Sequence, residues 1–357
     1  MALLGFGLLG LVGLATAAFV GVNIGGSSTG VAFGPATGAG VLTKRAAQGL
    51  MAVFVVIGGL LVGPNVVDTL GTDFVAEQHF TLAASTAVLL FIGISLLLAN
   101  LVGVSAGTSY TAVGAIVGMG AALGVLDWGT VGEVVTWWFV AGMTAFWLSA
   151  IVGRYLFGRL EDAWKAETEL GVRVQQGLVI LGGCFVGFSA GASNVANAVA
   201  PLVGSSTISM VPAVLLGGVT MGIGGFLLGG KTMETVGSGI TDLPLHGWVV
   251  VMVLAGGIIT LLSWFGIPAS LAVKMQLCVM GLGWGRTTRD VSLMRTLGFE
   301  PVRARDRARM EEDRRLRNYN VATTRRIVSM WLVTPVLAGL LSFGTFLVAA
   351  RRGLLGV

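Results

Sequence analysis

The chain has 357 residues, of which 55% are hydrophobic and only 11% charged, and its net charge at neutral pH is +5. A soluble chain carries roughly 25% charged residues, so the composition excludes a set of soluble domains and leaves a polytopic all-α membrane protein. The basic excess does not indicate nucleic acid: twelve of the 22 Lys and Arg fall between residues 286 and 326, where they report membrane topology first.

A bilayer crossing needs about 20 apolar residues. Spans are predicted at 2–43 (one long broken element), 46–63, 79–100, 103–125 and 134–153. A second series follows at 174–205 (broken), 210–230, 247–265, 267–285 and 327–349. The first segment contains Ala15-Thr16-Ala17, which resembles a cleavage site, but no positive region precedes it, so it is taken as a span. Cys184 and Cys278 both lie in apolar segments, which argues against a structural disulfide.

Five crossings per half is an odd number, so the second half enters the membrane from the opposite side and the two form inverted repeats. The predicted units are a first repeat at 1–153, a cytoplasmic linker at 154–173 and a second repeat at 174–357 containing the basic loop 286–326. With that loop inside, Asp68, Asp73 and Glu77 fall outside and both termini are expected to be external. A solvated loop is the simplest form for 286–326, with a charged surface helix over 301–318 as the alternative.

Two polar stretches support the repeat. Residues 25–35 read G-G-S-S-T-G-V-A-F-G-P and residues 191–201 read G-A-S-N-V-A-N-A-V-A-P, which places Gly25 over Gly191, Ser27 over Ser193 and Pro35 over Pro201 at an offset of 166. A second pair, 105–120 against 268–283, follows at an offset of 163. Gly-rich polar interruptions in corresponding places of two halves mark the binding region of a transporter, with broken helices or hairpins at the midplane. The competing reading is close helix packing through small residues.

Hydroxyls, amides and free backbone N–H groups at helix starts all donate to an anion, and the helix dipole adds positive potential. The candidate substrate-binding donors are Ser27, Ser28, Thr29, Thr108, Ser109, Ser193, Asn194, Asn197 and Ser270; no metal is expected. The alternative for each hydroxyl is a bond back to its own helix. Lys274 completes the set as an intramembrane charge, against the alternative that it snorkels to an interface. Gly187-Phe188-Ser189-Ala190-Gly191 matches the G-x-S-x-G of serine hydrolases. The only histidines, His79 and His246, stand near span ends, so an intramembrane hydrolase is a distant reading and no enzyme activity is expected.

G-A-S-N-V-A-N-A at 191–198 resembles the G-A-N-D-V-A-N-A signature of the inorganic phosphate transporter (PiT) family. Residues 25–35 with G-V-L-T-K-R at 40–45 resemble its first copy. Residues 105–118 resemble the family's P-V-S-T-T-H element, and Phe265–Ser270 its second copy. The likeness also takes in L-L-G-G-K-T-M-E-T at 227–235, and the run Asn23-Ile24-Gly25 resembles the bacterial sulfate permease branch.

The resemblance implies secondary transport of a tetrahedral oxyanion by alternating access. Phosphate is favoured, a proton-coupled sulfate permease is the near alternative and an anion channel a remoter one. The signature Asp of each half, which helps hold the cation in sodium-coupled members, is replaced by Ser28 and Asn194, and Leu271 and Ala272 lack the family's hydroxyls. No cofactor is therefore expected, and H+ is favoured over Na+ as coupling ion. The expected partners are phosphate or sulfate and membrane lipid, with a homodimer open and nucleic acid excluded; the expected location is the cell membrane.

Overall fold

The computed structural model describes residues 7–163, 169–239, 243–289 and 321–353. Ten long helices account for most of them. In chain order they are α1 (Leu8–Gly38), α2 (Lys44–Leu61), α3 (Leu82–Val102), α4 (Thr108–Leu123) and α5 (Trp128–Ile151), then α6 (Glu169–Gly204), α7 (Met210–Gly239), α8 (Leu245–Trp264), α9 (Leu271–Thr288) and α10 (Val321–Arg351). Each overlaps one of the ten apolar runs read from the sequence. Starts are set by local chemistry: the Thr43 and Thr81 hydroxyls accept the Ala46 and Ala84 N–H groups, and Asp127 accepts from Gly129 and Thr130.

Among the described residues, eight helices are long and apolar enough to cross a membrane. The two that are not, α4 and α9, occupy corresponding places in the two series. Both follow an interruption, at residues 103–107 and 265–270, entered through a glycine in the left-handed region: Gly103 (φ 76°) and Gly266 (φ 74°). The expected interruptions thus stand before α4 and α9. The signature stretches of α1 and α6, read from the sequence as broken elements, run as unbroken helix. Pro35 and Pro201 lie in the last turns of their helices, where few ladder bonds remain to be lost.

The neighbour pattern is reciprocal. α1 packs on α7 and α2 on α6; α4 packs on α10 and α5 on α9; α3 lies against α1, and α8 against α6. Each of these contacts therefore occurs twice with the halves exchanged. Close approach depends on missing side chains: a Cβ on Gly25 would stand 1.8 Å from Met221 O of α7, and one on Gly191 2.0 Å from Val55 O of α2. Both pairs of positions are 166 apart, the offset found in the sequence.

Of the expected linker 154–173, residues 157–163 form a short helix continuing from α5 through a π-type turn at 152–156, and 169–173 begin α6. Residues 164–168 lie outside the described residues. The basic loop 286–326 begins in the end of α9 and finishes in the start of α10; its residues 290–320, including the surface-helix alternative at 301–318, also lie outside them.

Candidate anion-binding site

α1 and α6 bring their polar stretches to the middle of the bundle, where the starts of α4 and α9 meet them. Asn194 is the hub. Its Oδ1 accepts from Thr108 Oγ1 at 3.1 Å, Ser109 Oγ at 3.4 Å and Asn197 Nδ2 at 3.4 Å, while its Nδ2 donates to Ser28 Oγ at 3.4 Å. Asn197 Nδ2 also donates to Ser109 Oγ at 3.1 Å. These five side chains are buried and uncharged, and they come from both halves of the chain.

Around the hub, corresponding positions make the same bond. Ser27 Oγ accepts the Ala106 N–H at 2.9 Å, and Ser193 Oγ accepts the Ala269 N–H at 3.3 Å. Each signature serine thus holds the interruption before α4 or α9 in its own half. The Ala269 carbonyl accepts from Ser193 at 2.8 Å and Ser109 at 3.1 Å. Two buried polar atoms here have no partner, the Asn197 Oδ1 acceptor and the Ser270 hydroxyl.

Not every candidate joins the cluster. Thr29 bonds back to Gly25 O at 2.7 Å and packs against Gly225 and Gly229 of α7, so its hydroxyl is consumed by its own helix. Lys274 is fully buried and does not snorkel. Its Nζ lies 3.5 Å from Tyr110 OH and 3.4 Å from Trp138 O, and it bonds to no member of the cluster.

Three groups were missed by sequence reasoning. Tyr110 and Trp138 enclose Lys274, and Asn100 Nδ2 donates to Asn23 O and Oδ1 at 2.9 and 3.0 Å. Asn100 was legible as an amide in an otherwise apolar span; an aromatic at a crossing carries no such signal. Ser189 of the G-x-S-x-G match sits inside continuous α6. Its hydroxyl bonds Phe185 O, Gly256 O and Thr260 Oγ1, which ties α6 to α8.

Comparison with known proteins places this geometry. The model of the phosphate transporter family matches residues 24–174 and 155–342. A sulfate permease of Bacillus subtilis, CysP, is 32% identical over 276 residues, covering 76% of this chain and 77% of the relative. Among solved structures, a sodium-dependent phosphate transporter superposes with a TM-score of 0.75 at 20% identity, covering 97% of this chain and all of that one.

The last likeness corrects one expectation. Preference for H+ over Na+ rested on the loss of carboxylates at Ser28 and Asn194, yet the solved transporter whose fold this chain follows is sodium-dependent. Replacing two carboxylates removes charge but leaves neutral oxygens on the same helices, so their loss is no ground for choosing a proton. Eight candidate spans and two matches along the chain make this a multi-pass membrane protein, and it belongs to the phosphate transporter family.

Proposed function

We propose that the protein is a secondary carrier of a tetrahedral inorganic oxyanion, that it works by alternating access, and that sulfate is its preferred anion. The observation that carries this reading is the buried cluster of Ser28, Thr108, Ser109, Asn194 and Asn197, contributed by both halves, with no carboxylate in it. Phosphate near neutral pH still carries a proton and gains from a charged acceptor, whereas sulfate is fully ionised and needs donors only. Family weight alone favours phosphate; the uncharged cluster and the similarity to CysP favour sulfate.

The two halves are inverted repeats in this reading. Five crossings each, the exchanged helix contacts, the paired bonds of Ser27 and Ser193 and the double family match support it. The basic segment 286–326 faces the cytoplasm and both termini face outward. The coupling ion is sodium, as in the sodium-dependent transporter whose fold the chain shares.

The test is uptake of labelled sulfate and phosphate by the purified protein in liposomes, with sodium inside replaced by potassium and the reverse. A carrier shows exchange stimulated by unlabelled anion on the far side. Uptake without such exchange indicates a channel, and uptake unaffected by the sodium gradient overturns the coupling assignment. Phosphate uptake indifferent to excess sulfate overturns the choice of anion.

A further inference from the structure

Lys274 is the only charged side chain among the fully buried residues described, and nothing around it neutralises it. No acidic group among the described residues pairs with it. Its Nζ meets only a phenol oxygen at 3.5 Å and a backbone carbonyl at 3.4 Å, both longer than the roughly 2.7–3.2 Å of a normal N–H···O bond. The Tyr110 ring face lies 5.9 Å away. A buried charge left unpaired is strongly unfavourable, so a chain that keeps one retains it for a charge that arrives.

The surroundings indicate where that charge arrives. Lys274 stands one turn inside α9, an 18-residue helix whose first turn has no side-chain cap. Ser270, the residue before the helix, stands four positions earlier in extended conformation; its hydroxyl is buried and has no partner. The first turn of one helix thus carries the N–H groups of Leu271, Ala272 and Val273, which have no partner within the helix, together with an unpaired hydroxyl before it and an ammonium at its end. The preceding residue, Ala269, accepts hydrogen bonds from Ser193 and Ser109 of the central cluster. The enclosure is held in place: Trp138 Nε1 donates to Pro268 O at 2.6 Å, and the Tyr110 and Trp138 rings pack at a 40° tilt with their centres 4.2 Å apart.

We infer that Lys274, with Ser270 and the start of α9, is the charge-selecting subsite for a tetrahedral dianion, a deepening that rests on the oxyanion-carrier reading. The neutral cluster reads shape and hydrogen-bonding capacity, and these do not distinguish a dianion from a tetrahedral monoanion. Lys274 supplies that distinction by exchanging its long contacts to Tyr110 and Trp138 for the anion.

The experiment compares wild type with Lys274→Gln, Lys274→Arg and Lys274→Met in liposomes, using labelled sulfate challenged by unlabelled sulfate or perchlorate, a tetrahedral monoanion. In wild type, sulfate should compete at far lower concentration than perchlorate. In Lys274→Gln, half-saturation by sulfate should rise by about tenfold or more while competition by perchlorate stays the same, and Lys274→Arg should restore most of the preference.

A second readout does not depend on transport: sulfate should raise the melting temperature of wild type, whereas Lys274→Met should melt higher without anion and gain little from it. Wild-type vesicles that take up neither sulfate nor phosphate overturn the carrier reading and this inference with it. Wild-type uptake together with an unchanged dianion preference in Lys274→Gln overturns the Lys274 assignment alone.

Discussion

Ser28 and Asn194 hold equivalent positions in the two polar stretches, 166 residues apart, and they touch: Asn194 Nδ2 donates to Ser28 Oγ over 3.4 Å. Contact between equivalent residues places the relation between the halves at the centre of the polar cluster. In the sodium-coupled pattern that these stretches resemble, both positions carry Asp, and two adjacent carboxylates repel unless a cation or proton lies between them. A serine and an amide remove that requirement and bond directly.

Removing the hub should weaken transport without preventing assembly. Asn194→Ala deletes the acceptor of three donors and the donor to Ser28, and the loss of an anion-facing hydrogen bond in a dry site is worth about 1–3 kcal/mol, so half-saturation should rise by about tenfold. Ser28→Ala should show a smaller effect. The double variant should fall short of the sum, because the two residues share one bond. Transport kinetics in liposomes, with monodisperse elution as the folding control, measures all three.

Restoring a signature carboxylate should shift the choice of anion. Asn194→Asp keeps the shape of the hub and its acceptance from Thr108 and Ser109, but places a negative charge in the cluster. The ratio of phosphate to sulfate uptake should increase and sulfate affinity should fall. An unchanged ratio would mean that the anion does not approach Asn194.

Glycine substitutions should separate two kinds of helix contact. Gly25→Ala and Gly191→Ala drive a methyl group to within 1.8 and 2.0 Å of carbonyl oxygens on α7 and α2; overpacking of this kind costs about 1–3 kcal/mol or more. Gly49→Ala, on α2 with open space around it, should be neutral or stabilise its helix by up to about 1 kcal/mol. Thermal unfolding in detergent gives the comparison.

The inverted arrangement is testable by accessibility. Single cysteines in place of Asp73 and Arg307 should be labelled by an impermeant reagent from opposite faces, Asp73→Cys from outside and Arg307→Cys from the cytoplasm. Labelling of both from one face would overturn it.

The ten helices were legible because a long apolar run has few other uses, and the reciprocal packing because Gly25 and Gly191 and their neighbours kept a common offset. Helix starts were less so: α5 was expected at 134, although Asp127 followed by Trp128-Gly129-Thr130 contains the cap that sets its start. The signature stretches were read as broken because Gly, Ser and Asn suit an irregular backbone and a tightly packed helix equally well. Only the partners decide, and those lie far along the chain. For the same reason the composition around Thr29 suggested a donor to substrate, when its hydroxyl is taken up by Gly25 O. The enclosure of Lys274 by Tyr110 and Trp138 depends on three helices meeting, which no local pattern encodes.

The exchange of helices between halves has a consequence for biosynthesis. α1 presses Gly25 against Met221 of α7, a helix made about 200 residues later, which at a usual rate of synthesis is a delay on the order of 10–40 s. Through that interval Asn23, Ser27 and Ser28 sit in a newly inserted span whose final partners have not been translated. The first half therefore cannot reach its native packing until α7 has been made, and folding of the whole chain waits on the second half.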